Sequence, residues 1–361
     1  MKKVKKILFF LAVISFLGIS IFNFSSLNET VDLGLNEEAS RFNKINTVAT
    51  NTIEDKKLIP LGGNFGIKIY TDGVIVSSLQ EIITENGTFC PAEKAGIKEG
   101  DYIVKINDEK VNSNQHFFEI ISKSKKDDIN LTVKREQQIF ETQIEAVFDG
   151  NSYKLGMWIR DSAGGIGTLT YYDPGNNTFG GLGHGIVDID TGDLLSLKEG
   201  KPSNIIISGI DKGEAENPGR IQGYFSENDN FGEIKLNSNS GIFGFLDKKP
   251  DGQELSICKK EELKKGDVSI ITTIETGVTK EYKAVIESID TLGKKNKNFV
   301  VKVTDEELIE KTGGIIQGMS GSPIIQDGKL VGAITHVFVS DPQKGYGIFI
   351  ENMLEMAEYE D

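Results

Sequence analysis

The sequence predicts a mainly β protein that carries one small α+β module and an amino-terminal transmembrane helix. Of 361 residues, 40 are Gly and only 8 are Pro, a balance typical of many tight turns rather than of Pro-rich disorder. From about residue 153, short apolar strands alternate with Gly, Asn and Asp turns. An apolar run at residues 7–24 follows four lysines. The length suggests two domains, at about 150 residues each.

The charge and the rare residue types exclude several classes of protein. The net charge of −14 disfavours a nucleic-acid partner, because such affinity comes mainly from Lys and Arg on phosphate. Cys90 and Cys258 cannot build a disulfide framework. The three histidines, His116, His184 and His336, are scattered along the chain. We therefore expect no metal site and no cofactor.

The amino terminus predicts a membrane anchor over residues 1–24. Its apolar run is nearly long enough to cross a bilayer, and the lysines before it favour the cytoplasmic side. A cleaved signal peptide is the alternative, but no A-x-A-like site follows Phe24. Residues 25–59 are polar with little periodicity and predict a flexible stalk. The remaining chain is then expected outside the cytoplasm.

Residues 60–148 predict the small module. The string PAEKAGIKEGDYIVKIN, residues 91–107, resembles the PDZ domains that accompany bacterial proteases. A Gly-rich loop precedes an alternating strand, Ile67–Tyr70, whose edge is expected to accept a peptide by β-augmentation. The peptide could come from this chain or from a partner, and a β-sandwich without ligand is the alternative. The expected peptide-binding residues are Leu61, Gly62, Gly63, Gly66 and Ile67.

Residues 149–361 predict a β-barrel domain with a serine nucleophile. In the hexamer GMSGSP, residues 318–323, Ser320 is flanked by glycines that allow a sharp turn. The N–H groups of Gly318 and Ser320 are then expected to form an oxyanion hole. The hexamer, the hairpin after it and the strand near Gly345 resemble the carboxy-terminal part of trypsin-like (chymotrypsin-type) proteases. Ser322 is the alternative nucleophile, of which we expect no catalytic role.

A serine nucleophile needs a general base, which is usually His. His184 lies in the glycine-dense corner GGLGHG and precedes the serine, so we assign it as the base. His116 falls in the helix of the small module, and His336 is expected to be structural. The spacing does not choose the acid that orients the base. The candidates are Asp188, Asp190, Asp211, Asp267 and Asp305.

Three segments together resemble one family, the sporulation stage IV protein B (SpoIVB) serine peptidases. They are WIRDSAGGIGTLTYYDP, GGLGHGIVDIDTG and the run from VTDEELIEKTGG to the terminal strands. The resemblance implies a catalytic triad of His184, Asp305 and Ser320. An acid only 15 residues before the serine departs from the ordinary trypsin-like layout, and capping of a helix over residues 305–314 is the alternative role for Asp305.

The same resemblance implies a function in sporulation. Such proteins are exported from the forespore, held at its inner membrane by their anchor, and cleave themselves, here expected within the stalk. The PDZ and peptidase part is thereby released in part into the intermembrane space. Its substrate is a membrane-bound inhibitor of an intramembrane metalloprotease, and its cleavage leads to activation of the late mother-cell sigma factor. A catalytically inert PDZ scaffold of the cell envelope is the alternative.

Overall fold

A computed structural model of the protein describes residues 56–124, 129–292 and 296–357. The expected anchor, residues 1–24, and nearly all of the expected stalk lie outside these residues. Within the described ranges, no helix combines the length and the apolar character needed to cross a membrane.

Ten strands and two helices form the first part of the described chain. They are β1 (Lys57–Pro60), β2 (Asn64–Leu79), β3 (Ile82–Thr84), β4 (Gly87–Phe89), α1 (Pro91–Lys94), β5 (Tyr102–Ile106), β6 (Glu109–Lys110), α2 (Asn114–Lys123), β7 (Ile129–Arg135), β8 (Gln138–Ile144), β9 (Val147–Phe148) and β10 (Tyr153–Lys154).

Thirteen strands and two helices follow. They are β11 (Met157–Asp173), β12 (Thr178–Gly181), β13 (Glu199–Asp211), β14 (Arg220–Asn230), β15 (Gly232–Ser238), β16 (Gly241–Leu246), β17 (Leu255–Ser256), β18 (Gly266–Glu275), β19 (Val278–Ile289), β20 (Phe299–Val303), α3 (Glu306–Thr312), β21 (Pro323–Gln326), β22 (Lys329–Phe338), β23 (Asp341–Phe349) and α4 (Ile350–Ala357).

The strands close two six-stranded rings. In the first, the antiparallel pairs run β2–β11–β12–β16–β15–β13 and return to β2. The second is a closed barrel in the order β18-β19-β20-β23-β22-β21. A mainly β fold is therefore confirmed. Alternation sets the inward face of each strand: in β19, Tyr282, Ala284 and Ile286 are buried, whereas Glu281 and Lys283 are exposed.

Three hydrophobic cores fill these layers. One lies in the first ring and includes Phe65, Phe179 and Ile242. A second lies in the closed barrel and includes Ile270 and Val301. The third joins the helices and strands of the PDZ module; its members include Val74, Ile103, Phe117 and Leu131.

The strand β2 belongs to two of these layers. Its first half pairs with β11 on one edge and with β13 on the other, so that Ile69 lies opposite Ala163 and Gly200. Its second half pairs with β5 of the PDZ module at Val74 and Ile75. The sheet therefore continues across the boundary predicted between residues 148 and 149.

Candidate active site

Ser320 lies on a turn between two glycines in left-handed backbone conformations. Gly318 has φ +101° and Gly321 has φ +97°, values that side chains rarely adopt. A Cβ at Gly321 would also overlap the carbonyl oxygen of Thr168. Gly321 is therefore required by the close approach of this turn to β11, and Gly318 by its left-handed backbone conformation.

The carbonyl groups of the turn fix the direction of its N–H groups. The Gln317 carbonyl accepts from the Ile221 N–H at 2.8 Å, and the Met319 carbonyl accepts from the Ser322 N–H at 2.9 Å. In a planar trans peptide, the N–H points away from the C=O. The Gly318 N–H therefore points away from the Gln317 carbonyl, and the Ser320 N–H points away from the Met319 carbonyl. Neither N–H has an acceptor among the described residues. The arrangement can stabilise an oxyanion.

The two serines of the hexamer have different surroundings. The Ser320 hydroxyl is partly exposed and donates a hydrogen bond to the Thr335 carbonyl at 2.8 Å. Ser322 is fully buried, and its hydroxyl donates to Thr272 Oγ1 at 2.9 Å. Only Ser320 lines the cleft described below, so the surroundings of Ser322 agree with its having no catalytic role.

His184 lines the same cleft as Ser320 and is held by its neighbour in the chain. Its Nδ1 lies 2.9 Å from the Gly185 carbonyl oxygen. A carbonyl only accepts, so Nδ1 carries the proton, and in the neutral ring Nε2 keeps the lone pair that a general base needs. Burial lowers the pKa of His184 below its usual value. A base with a lowered pKa stays neutral, and thus competent, to a lower pH.

His336 lies against His184, although the sequence predicts only a structural role for it. The two ring centroids are 5.0 Å apart, and the ring planes meet at 39°. Burial, followed by the His184 and Lys297 charges, lowers the pKa of His336 to about 4. Its Nδ1 is buried and has no hydrogen-bond partner among the described residues. The sequence shows that His336 follows the serine on a neighbouring strand, but not that the two rings meet.

Asp305 is not among the described residues that line the cleft of Ser320 and His184, and its hydrogen bonds differ from those of the acid in the triad that the resemblance implies. It is the N-cap of α3: Oδ1 accepts from the Leu308 N–H at 3.1 Å, and Oδ2 accepts from the Lys283 N–H at 3.2 Å. Both carboxylate oxygens are thus engaged by backbone donors at the start of a helix, where Asp is strongly preferred. The helix-capping alternative describes this side chain in the structure.

None of the other candidate acids is among the described residues that line the cleft. Arg160 holds Asp188 at 3.3 Å and Asp190 at 2.5 Å. Arg220 holds Asp211 at 2.8 Å and, by that hydrogen bond, lowers the pKa of its carboxyl. Asp267 is exposed at the start of β18. Across the ranges that the structure covers, the Gly185 carbonyl rather than a carboxylate is the hydrogen-bond partner of the His184 ring.

The cleft has a volume of about 560 Å³, and its walls are largely aliphatic. Ser320, His184, His336 and Gly318 line it together. None of its described lining residues is Asp, Glu, Lys or Arg. Its aliphatic lining residues are Ile67, Ile166, Leu182, Ile186, Val187, Ile315, Ile316, Val337 and Val339, and its further neutral polar ones are Asn239, Asn296, Gln317 and Thr335.

The predicted peptide-binding loop of the PDZ module makes its hydrogen bonds within the protein. The Leu61 N–H donates to the Thr170 carbonyl at 3.1 Å, and the Gly62 N–H donates to the Leu169 carbonyl at 2.9 Å. Gly66 and Ile67 lie in β2, between β11 and β13. The strand Ile67–Tyr70 therefore has no open edge for β-augmentation in this structure. Gly63 also contributes inward, because its carbonyl accepts from the Leu169 N–H at 2.9 Å.

Comparison with protein families identifies both parts of the chain. The model of the SpoIVB peptidase S55 family matches residues 151–354, more than half of the chain. A PDZ domain model matches residues 59–145. A search of curated proteins found no match.

Solved structures resemble this chain only weakly, in both sequence identity and TM-score. The Rv3671c protease from M. tuberculosis, in its active form, is 14% identical with a TM-score of 0.34, over 55% of this chain and 76% of that chain. Deg5 is 12% identical with a TM-score of 0.33, over 54% of this chain and 85% of that chain. Scores this low carry no argument about the present chain.

Proposed function

The chain belongs to the SpoIVB peptidase S55 family, and we propose from that premise that Ser320 and His184 carry out its serine peptidase reaction. One observation carries the proposal. Ser320 shares a cleft with His184, on a turn whose Gly318 and Ser320 N–H groups have no acceptor among the described residues. These are the three parts that acyl transfer requires: a nucleophile, a base and an oxyanion site.

The reaction follows from these groups. The Ser320 hydroxyl turns from the Thr335 carbonyl to the lone pair of His184 Nε2, which takes its proton as Oγ attacks the scissile carbonyl. The Gly318 and Ser320 N–H groups stabilise the oxyanion. His184 then gives the proton to the leaving amine as the C–N bond breaks. Water, deprotonated by the same base, hydrolyses the acyl-enzyme and restores Ser320. Throughout, the Gly185 carbonyl keeps the proton on Nδ1.

The walls of the cleft indicate the class of substrate. Desolvating a charged side chain without a partner is costly, whereas burying an aliphatic one is favourable by about 1.5–3 kcal/mol. Because no charged residue lines the described cleft, we expect polypeptides with uncharged, apolar side chains next to the scissile bond. On the acyl side of the scissile bond, we expect Val, Ile or Leu to be favoured over Lys or Glu.

The physiological role is part of the proposal. Family membership and the apolar run at residues 7–24 support a sporulation peptidase that is anchored in the forespore inner membrane and acts outside the cytoplasm. The expected substrates are its own stalk, residues 25–59, and the extracytoplasmic part of a membrane-bound inhibitor of an intramembrane metalloprotease. Self-cleavage would release the PDZ and peptidase part. The PDZ module is expected to bind a peptide at a place other than the edge of β2.

The test compares wild-type full-length chain with Ser320→Ala and with Ser322→Ala as the matched control. Mass spectrometry of the amino terminus after expression reports self-cleavage, and a fluorophosphonate reports the reactive serine. We expect Ser320→Ala to lose labelling and processing, with kcat lower by about 10⁴ or more, while Ser322→Ala keeps both. Processing of Ser320→Ala at the wild-type rate would refute the proposal and favour an inert scaffold.

A further inference from the structure

We propose that Thr168 and Asn64 are positioning residues that set the geometry of the oxyanion site beside Ser320, an inference that rests on the function proposed above. Thr168 on β11 lies opposite Asn64 on β2. The Thr168 hydroxyl donates to the Gly318 carbonyl at 2.8 Å. Asn64 Nδ2 lies 3.4 Å from the same carbonyl and 3.2 Å from Thr168 Oγ1.

The directions of these hydrogen bonds are fixed by chemistry. The Gly318 carbonyl only accepts, so the Asn64 amide nitrogen rather than its oxygen faces it. The Thr168 hydroxyl gives its one proton to that carbonyl and accepts from Asn64. Asn64 Oδ1 is left buried, with no partner among the described residues. An unpaired buried acceptor costs about 1–3 kcal/mol, so packing alone does not favour Asn at this position.

The Gly318 carbonyl is the middle one of three successive carbonyls in the turn. The outer two, of Gln317 and Met319, are held by the backbone N–H groups of Ile221 and Ser322, which only a proline substitution would remove. The middle one is held by the side chains of Thr168 and Asn64. The glycine itself offers little resistance to rotation. The other end of this peptide, the Met319 N–H, donates to the Ile316 carbonyl at 3.1 Å. The two side chains therefore hold the carbonyl end of the Gly318–Met319 peptide.

A rotated peptide would harm the reaction directly. A Gly318 carbonyl oxygen turned toward the cleft would face the negative charge that develops on the substrate oxygen and would oppose the stabilisation given by the Gly318 and Ser320 N–H groups. The loss would appear in the transition state, not in the ground-state complex, and so in kcat more than in KM. This separates positioning of the oxyanion site from a general loss of packing.

The experiment uses Thr168→Val in the full-length chain. Val keeps the shape of Thr and removes only the hydroxyl, and the backbone bond from the Thr168 N–H to the Ser320 carbonyl, 2.9 Å, remains. The matched control is Thr273→Val, which removes a buried hydroxyl that donates to the Gly62 carbonyl at 3.0 Å. The readouts are kcat and KM on an apolar peptide, the inhibition constant of a peptide aldehyde, and the thermal midpoint.

We expect Thr168→Val to lower kcat by about tenfold and to change KM little. The loss is smaller than the 10²–10³-fold loss expected when an oxyanion donor itself is removed. The aldehyde, whose adduct places an oxyanion in the site, should lose affinity by a similar factor. Thr168→Ser should restore both, and Asn64→Ala, which removes longer bonds, should have a smaller effect in the same direction. Thr273→Val should leave kcat and aldehyde affinity unchanged.

Two results would overturn the inference in different ways. If the wild type is active and Thr168→Val keeps its kcat and aldehyde affinity, or loses no more than Thr273→Val does, the positioning role is refuted and the proposed function stands. If the wild type neither hydrolyses peptides nor processes itself, the proposed function is refuted and this inference falls with it.

Discussion

Asp305 ends the extended segment before α3 and accepts hydrogen bonds from the N–H groups of Leu308 and Lys283. A residue used in this way is replaceable by another good N-cap, because Ser and Asn also accept from the first turn of a helix. A residue that orients a catalytic histidine is not replaceable in this way: the neutral Asn substitution of a triad Asp costs about 10⁴ in kcat. The two roles therefore give opposite expectations.

We predict that Asp305→Ser keeps kcat/KM within a few fold, and that Asp305→Ala lowers the free energy of unfolding by about 1 kcal/mol through loss of the cap. Peptide hydrolysis, normalised to the fluorophosphonate-reactive serine, measures kcat/KM. Urea unfolding measures the free energy of unfolding. Glu306→Ser, at the exposed neighbouring position, is the matched control. A folded Asp305→Ser protein that loses about 10³ or more would restore Asp305 to the triad.

The sequence predicts Ser320 and His184 because each lies among glycines whose spacing is visible in the chain. It does not predict that the Gly185 carbonyl holds the His184 ring, or that His336 lies against it, because both contacts depend on how distant strands meet. The positioning pair is hidden for the same reason: Asn64 and Thr168 are 104 residues apart, and nothing in their local pattern marks them.

At the scale of single elements, β1 is a short strand with long-range consequences. It pairs with β11 at Ile59 and Pro60 and with β17 at Lys57 and Leu58. Leu58 and Ile59 are 0% and 1% exposed. The last residues of the expected stalk, 57–59, are thus part of the folded protein. Cleavage that leaves the fold intact is expected on the amino-terminal side of β1.

We predict that Leu58→Ala lowers the free energy of unfolding of the described part by about 2–5 kcal/mol, the range for deletion of a fully buried Leu side chain. Lys57→Ala, at an exposed position of the same strand, should change it by no more than about 0.5 kcal/mol. Urea denaturation followed by circular dichroism measures both. Equal, small effects for the two variants would show that β1 is not needed by the fold.

The strand β2 shows where pattern reading stops. Its alternation correctly predicts a strand near Ile67–Tyr70, and the PDZ string after it is confirmed by the family match. Pattern alone does not show which strands lie beside it. Gly73, with φ +91°, marks the change of partners: a Cβ there would lie 2.5 Å from the Ile103 carbonyl oxygen of the PDZ strand β5. The sequence shows this glycine but not the reason for it.

For the whole described molecule, the shared strand implies that the PDZ module and the first ring depend on each other. Val74 and Val76, on the second half of β2, lie in the core of the module, and Phe65 and Ile67, on its first half, lie in the core of the ring. Unfolding the module would free one end of the strand whose two edges hold β11 and β13. Two domains joined only by a flexible linker would instead unfold separately.

We predict that the module and the first ring unfold in one transition. Hydrogen exchange in increasing urea, followed by mass spectrometry on β7 of the module and on β12 of the ring, should give one common midpoint. Leu131→Ala, in the core of the module, should lower both midpoints equally, because a stability change in one part of a cooperative unit is felt throughout it. Ile139→Ala, at a position that is 68% exposed on β8, is the control and should move neither. A variant in which β7 exchanges while β12 stays protected would show that the module unfolds by itself, and that the shared strand does not couple the two.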